Sequence, residues 1–111
     1  THTNAADHLA DLRPNYFARL RKRVDALNAF LQALERNEAS ESSFEEVHRC
    51  VHSMISSAAI FGYPDLSAAA RAAEAALEAD GEKSSVVIKS RVEHVLRLTR
   101  DVLEMAADDD N

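Results

Sequence analysis

Residues 20–34 read LRKRVDALNAFLQAL, and the spacing of their apolar side chains decides the fold class. Those side chains are Leu20, Val24, Leu27, Leu31 and Leu34, which follow one another in alternating steps of four and three. This spacing puts them on one face of an α-helix and leaves the charged residues on the other face. We therefore predict an amphipathic helix from about Asn15 to about Asn37. Phe17 and Phe30 widen its apolar face.

The same spacing recurs three more times along the chain. The predicted inward residues are Phe44, Val47, Val51, Met54, Ala58 and Phe61 in the second long helix, Leu66, Ala69 or Ala70, Ala73 and Leu77 in the third, and Ile88, Val92, Val95, Thr99, Val102 and Ala106 in the fourth. Leu9 and Leu12 indicate a brief leading helix that stops near Arg13 and Pro14, since proline disfavours helix in the residue before it. The predicted fold class is all-α, an antiparallel four-helix up-and-down bundle with a short extra N-terminal helix.

Capping and turn residues mark the predicted boundaries between the long helices. They are a capping box at Ser42 and Glu45 or at Ser43 and Glu46, a left-handed helix end at Gly62, a first-turn proline at Pro64 and a second helix end at Gly81. A capping box satisfies the first free N–H groups of a helix. Glycine adopts the left-handed conformation at little steric cost, and proline suits a first helical turn, where its missing N–H is not needed.

Length and charge narrow the class of protein. The chain has 111 residues and a formal net charge of −6. We predict a single domain over residues 1–111, with a core at about 8–107. The acidic balance argues against a nucleic-acid binder, and no apolar run approaches the length of a membrane span. Cys50 is the single cysteine and cannot form an internal disulfide, so we expect a cytoplasmic setting. A chain with four helices of its own is expected to be a monomer.

His52 is the polar residue of the second long helix that the core does not explain. With Val51 inward, His52 lies roughly 100° round the helix, at the edge of the core or beyond. His48, His52, Ser56 and Ala59 then lie one turn apart on one stripe. Ser56 and Ala59 are small and leave the imidazole uncovered, as a nucleophile approached by a bulky protein partner requires.

Residues 48–66 resemble the signature of histidine phosphotransfer (HPt) domains and read HRCVHSMISSAAIFGYPDL. The residues that carry the resemblance are His52, Met54, Ser57, Ala58, Phe61, Gly62 and Leu66. Residues 9–34 are similar to the opening segment of the family. Residues 66–77 are similar to its third bundle helix, through Ser67, Ala70, Arg71 and Glu74. The resemblance therefore covers nearly the whole chain, although only residues 48–66 are specific.

The resemblance implies that His52 is a phosphoacceptor. A neutral imidazole nitrogen, Nε2, would attack the phosphorus of an aspartyl phosphate on a receiver domain, and the phosphohistidine would later pass its group to another receiver. The implied partners are the receiver domains of hybrid histidine kinases and response regulators. Since the receiver supplies Mg²⁺, we expect no cofactor in this chain. No glycine-rich phosphate loop is present, and we expect a carrier without kinase activity rather than an enzyme.

Two positions depart from the family pattern. Ile55 stands where the family often has lysine, and Ser56 stands where it usually has glycine. Loss of the lysine removes a positive charge that would help to hold the phosphoryl oxygens, and Arg49, one turn before His52, is the candidate replacement. The predicted docking surface around His52 comprises His48, Arg49, Ile55, Ser56 and Ala59, with an apolar rim near Leu9 and Leu12.

Two alternatives remain open at the level of sequence. A pseudo-HPt module would bind receivers without accepting phosphate; the replacements at Ile55 and Ser56 leave room for this reading, and the retained His52 argues against it. A metal-binding bundle would use His48 and His52, because histidines four apart on a helix can share one ion. No carboxylate or third histidine has a matching spacing, so we predict no metal ligands. Cys50 is predicted to be a small buried hydrophobe.

Overall fold

The computed structural model describes residues 5–79 and 85–109, with side chains described over residues 10–79 and 85–107. It has four helices in chain order: α1 (Ala5–Glu35), α2 (Glu41–Ile60), α3 (Pro64–Glu78) and α4 (Ser85–Asp109). No strand occurs in the described ranges, so the predicted all-α class is confirmed. The first and last helices extend slightly beyond the predicted core of residues 8–107. None of the four, over the residues described, combines the length and hydrophobicity of a membrane span.

The helices pack around one hydrophobic core. α2 packs against α3, α3 against α4, α4 against α1, and α1 against α2. In α2, α3 and α4 every predicted inward residue is buried except Phe44 and Ala106, which are half-buried. In α1, Leu20, Leu27 and Phe30 are buried, and the remaining predicted residues of the stripe are half-buried. Apolar periodicity therefore predicts the core well, because burial of one helix face is the main source of its stability.

The predicted leading helix is not a separate element. α1 runs without a break from Ala5 to Glu35, and Pro14 lies inside it. A proline in a helix interior costs about 3 kcal/mol or more, because it removes one backbone hydrogen bond and crowds the preceding turn. Tertiary contacts of the preceding residue oppose that cost. Arg13 donates to the Phe61 carbonyl at 3.3 Å and to the Tyr63 hydroxyl at 3.4 Å, which holds this part of α1 in place.

The start of α2 differs from the prediction. The N-cap is Ser40, whose hydroxyl accepts from the Ser43 N–H at 3.2 Å, and the Ser43 hydroxyl accepts from the Ser40 N–H at 3.2 Å. The capping box is therefore formed by two serines, and neither predicted Ser–Glu pair forms it. Serine serves at both positions because each hydroxyl oxygen accepts from the backbone N–H of the other residue. Starting the helix at Ser40 also puts Glu41 in the first turn, where a negative charge is stabilising.

The end of α2 follows the prediction. Gly62 has φ +88°, a left-handed conformation that L side chains rarely adopt. Pro64 occupies the first turn of α3. α3 ends at Glu78, and the predicted end at Gly81 lies outside the described residues.

Tyr16 is a buried residue that the apolar pattern misses. Its ring stacks on Phe61 with centroids 4.2 Å apart, and its side chain is almost completely buried. Among the described residues its hydroxyl has no hydrogen-bond partner. Burial, and to a lesser extent the neighbouring Tyr63, raises the pKa of Tyr16 to about 12, although Arg23 and Arg13 oppose the shift.

Tyr16→Phe is expected to leave the free energy of unfolding at neutral pH unchanged or higher, since an unpaired buried hydroxyl costs about 1–3 kcal/mol. It should also flatten the alkaline stability profile. The pKa of Tyr16 is about 12 in the folded protein and 10.0 ordinarily, so the unfolded chain loses this proton first as the pH rises. The wild-type free energy of unfolding therefore does not depend on Tyr16 ionisation below pH 10.0 and decreases as the pH rises through about 12. Urea unfolding at several pH values measures both effects.

The matched control is Tyr63→Phe, which removes a hydroxyl that Arg13 contacts. This variant should lower the stability slightly. A Tyr16→Phe protein that is less stable than the Tyr63→Phe protein at neutral pH would contradict the assignment of an unpaired hydroxyl.

Candidate functional site

His52 lies on the exposed face of α2. The side chains of Val51 and Met54 are completely buried, whereas the His52 side chain is 70% exposed. The difference follows from helical geometry, since adjacent residues point about 100° apart. The structure therefore presents the imidazole to solvent from a helix whose opposite face is fixed in the core.

Two histidine–glutamate pairs join α2 to α3. His52 Nδ1 contacts Glu74 Oε2, and His48 Nε2 lies 2.6 Å from Glu78 Oε1. The two imidazole rings are nearly parallel, with centroids 6.1 Å apart. His48 lies four residues before His52 in α2, whereas its partner Glu78 lies four residues after Glu74 in α3. These two helices therefore run in opposite directions. The two pairs lie one helical turn apart along the same contact between α2 and α3.

The glutamate contact assigns the two nitrogens of His52. An ionised carboxylate only accepts hydrogen bonds, so Nδ1 of His52 carries the hydrogen and donates to Glu74. In the neutral ring, Nε2 then keeps a free lone pair. His48 is held by the opposite atom, since its Nε2 faces Glu78. Within the described residues, Nε2 of His52 makes no hydrogen bond, which leaves it available as a nucleophile.

Arg23 of α1 holds the same part of α2 from the other side. It donates to the Cys50 carbonyl at 3.1 Å and to the Ser53 hydroxyl, while the Ser53 hydroxyl also donates to the Cys50 carbonyl at 2.9 Å. These contacts fix the turn that carries His52. Cys50 is half-buried and packs against the core. Burial raises the pKa of its thiol, and Arg23 partly opposes that rise.

The predicted docking residues divide into exposed and half-buried ones. Arg49, Ser56 and Ala59 are exposed along with His52 on one side of α2. Ile55 is half-buried and packs against the core, and its carbonyl accepts a hydrogen bond from Ser67 Oγ at 2.7 Å. Ile55 is therefore a structural contact with α3 as well as a surface residue.

The predicted apolar rim is only partly described. Leu12 is half-buried and packs against the core, and it is not a free surface residue. The side chain of Leu9 lies outside the described residues. His48, the remaining predicted neighbour of His52, is half-buried beside Glu78.

Spacing along the chain misses the carboxylates at the site. The statement that no carboxylate has a matching spacing is wrong in three dimensions, because Glu74 and Glu78 of α3 lie against His52 and His48 of α2. A signal was present in the sequence, since the two histidines are four residues apart and the two glutamates are also four residues apart. It becomes informative only once the register between the two helices is known. Arg23 and Ser53 were missed for the same reason.

A family model of the Hpt domain matches residues 5–108, essentially the whole chain. The chain belongs to the Hpt domain family. This confirms the resemblance drawn from residues 48–66. Comparison with curated proteins found no match to the chain. Comparison with solved structures found none either. Hpt domains carry phosphoryl groups between proteins of phosphorelays and interact with receiver domains of two-component systems.

Glu74→Ala is expected to change the tautomer of His52 in this Hpt domain. Removal of the acceptor frees Nδ1, so a larger share of neutral His52 should carry its hydrogen on Nε2. Long-range ¹H–¹⁵N NMR spectra of the imidazole nitrogens measure the two tautomers directly.

The matched control is Glu78→Ala, which removes the partner of His48 by the same change one turn away. It should move the nitrogen resonances of His48 and leave the tautomer of His52 largely unchanged. An identical response of His52 to both substitutions would show that Glu74 does not set its tautomer.

Proposed function

We propose that this Hpt domain accepts a phosphoryl group on Nε2 of His52 from the aspartyl phosphate of one receiver domain and passes it to another. One observation carries the proposal. The imidazole of His52 is exposed, its Nδ1 is held by Glu74, and its Nε2 has no partner within the described residues. A receiver can therefore approach the nucleophilic nitrogen without displacing protein contacts.

The transfer balances without a general base. The lone pair of Nε2 forms a bond to phosphorus while the bond from phosphorus to the aspartyl oxygen breaks, and the aspartate leaves as a carboxylate. The hydrogen on Nδ1 stays in place, so the ring gains positive charge. Glu74 accepts from that N–H and stabilises the charge. Transfer to the next receiver reverses these bond changes, and Mg²⁺ is supplied by the receiver.

Arg49 and Ser56 fit this role on the surface of α2. Arg49 is exposed one turn before His52 and supplies positive charge near the phosphoryl oxygens in place of the family's lysine, whose position Ile55 occupies. Ser56 is exposed one turn after His52 and is small enough to leave the ring accessible. The expected interface with a receiver is modest in area, since such encounters are transient.

Further parts of the prediction belong with this proposal. The antiparallel up-and-down order of the helices is supported by the ring of contacts between neighbouring helices and by the opposite directions of α2 and α3. A monomeric state, a cytoplasmic setting and the absence of nucleic-acid binding stay predictions from the sequence.

A pseudo-Hpt module is the second candidate, and one observation favours it. The half-buried Ile55 in place of lysine leaves the surface beside His52 with one positive charge fewer than is usual in the family. Such a module would bind receivers through the same face and leave His52 unmodified.

Transfer from a phosphorylated receiver to wild-type protein and to His52→Gln separates the two candidates. We expect label on the wild type alone, stable in base and lost in acid, as a phosphohistidine requires. The matched control is His94→Gln, which removes an exposed histidine of α4 and should accept label like the wild type. Receiver binding by both proteins without labelling of either would favour the pseudo-Hpt module, and labelling of His52→Gln would exclude His52 as the acceptor.

Ser56→Tyr is expected to slow transfer by about tenfold or more while the domain stays folded. A large ring one turn after His52 obstructs the approach of the receiver, and small displacements of reacting groups have effects of this size. Ser90→Tyr, at an exposed position of α4, is the matched control and should transfer at the wild-type rate. Equal rates for the two variants would remove Ser56 from the docking surface. Circular dichroism checks that both are folded.

A further inference from the structure

Beside the phosphoacceptor lies a cluster of metal-ligating side chains that phosphotransfer does not need. His48, Glu74 and Glu78 each offer a ligand atom, and these atoms all lie within 4.8 Å of one another. We propose that they form a Zn²⁺ site that shares Glu74 with His52. The zinc proposal rests on the geometry of α2 and α3 and does not require that His52 accepts phosphate.

The distances suit zinc after small side-chain rotations. His48 Nε2 and Glu78 Oε1 are 2.6 Å apart and already face each other. Zinc bonds to nitrogen and oxygen of about 2.0–2.2 Å and a tetrahedral angle put ligand atoms about 3.4 Å apart. The His48–Glu78 contact is shorter than that separation, and every pair of ligand atoms in the cluster lies within 4.8 Å. Because α2 and α3 are held together by their buried faces, only side-chain torsions need to change.

The charge of the cluster favours a cation. Glu74 and Glu78 lie one turn apart on α3, and the side chain of Glu74 is only 17% exposed. Over the residues whose side chains are described, neither carboxylate forms an ion pair with lysine or arginine, and their partners are the two histidines. A divalent ion would offset two negative charges that are otherwise compensated only when a histidine is protonated.

The donor atoms select the ion. Zinc accepts both imidazole nitrogen and carboxylate oxygen, and a site with three protein ligands leaves its fourth position for water. Magnesium and calcium prefer oxygen ligands throughout, and a thiolate-seeking ion finds no cysteine here, since Cys50 contacts Met54 and Arg23 on the core side of α2. Imidazole nitrogen in the set therefore favours zinc over the hard cations.

Glu74 links the zinc site to His52. Its Oε2 contacts Nδ1 of His52, and the same carboxylate belongs to the cluster. A bound ion draws electron density from this carboxylate and weakens it as an acceptor for His52. Zinc binding therefore changes the surroundings of His52 without touching its exposed Nε2.

Isothermal titration of the full chain with Zn²⁺ tests the site. We expect one ion per chain, and we expect His48→Gln and Glu78→Gln each to weaken binding at least about tenfold, since even outer-shell changes at zinc sites cost about 10–100-fold. The matched controls are His94→Gln and Glu93→Gln on α4, which should bind like the wild type. Equal affinity in the wild type and Glu78→Gln would overturn the site.

NMR spectra provide a second readout that does not depend on affinity. At a Zn²⁺ concentration just sufficient to fill the wild-type site, the imidazole nitrogen resonances of both His48 and His52 should shift in the wild type and much less in Glu78→Gln. A shift of His48 without a change at His52 would overturn the sharing of Glu74. Neither measurement uses a phosphoryl donor, so failure of the zinc site and failure of the proposed phosphotransfer are distinguishable. Circular dichroism excludes unfolding of the variants as the cause.

Discussion

The register between α2 and α3 is the constraint on which the site depends. α3 contributes small buried side chains, among them Ala69, Ala70 and Ala73, and small residues at a contact allow two helices to approach closely. Ser67 adds a hydrogen bond to the Ile55 carbonyl that fixes the sliding position of one helix on the other. A shift of one residue along either helix would separate both histidine–glutamate pairs. Packing in the core therefore determines which carboxylates contact His48 and His52 at the surface.

Much of the fold could be predicted from the sequence because burial within one helix repeats every three or four residues. The same rule placed His52 outside, since its neighbours Val51 and Met54 are inside. It could not supply Glu74, whose position against His52 depends on how two helices slide past each other. The break predicted at Pro14 was wrong for a similar reason. A local preference was overridden by contacts of Arg13 with residues about fifty positions away.

The site combines groups from three neighbouring helices. α2 carries His52, the proposed nucleophile, α3 carries Glu74, which contacts its Nδ1, and α1 carries Arg23, which contacts the same turn through the Cys50 carbonyl and Ser53. Contacts from two other helices thus hold the turn of α2 that carries His52. Pre-positioning of this kind lowers the entropic cost of phosphoryl transfer, in which the carrier supplies little besides placement. Glu74 contacts His52 and also belongs to the proposed zinc site.

Exposure and burial alternate sharply along α2. Val51, Met54 and Ala58 are buried in the core, whereas Arg49 and Ser56 are exposed. Substitutions at exposed positions without structural contacts usually change the free energy of unfolding by about 0.5 kcal/mol or less. Changes at positions 49 and 56 would therefore alter the surface that a receiver meets while the buried residues keep the fold, so that partner preference and stability can be adjusted separately.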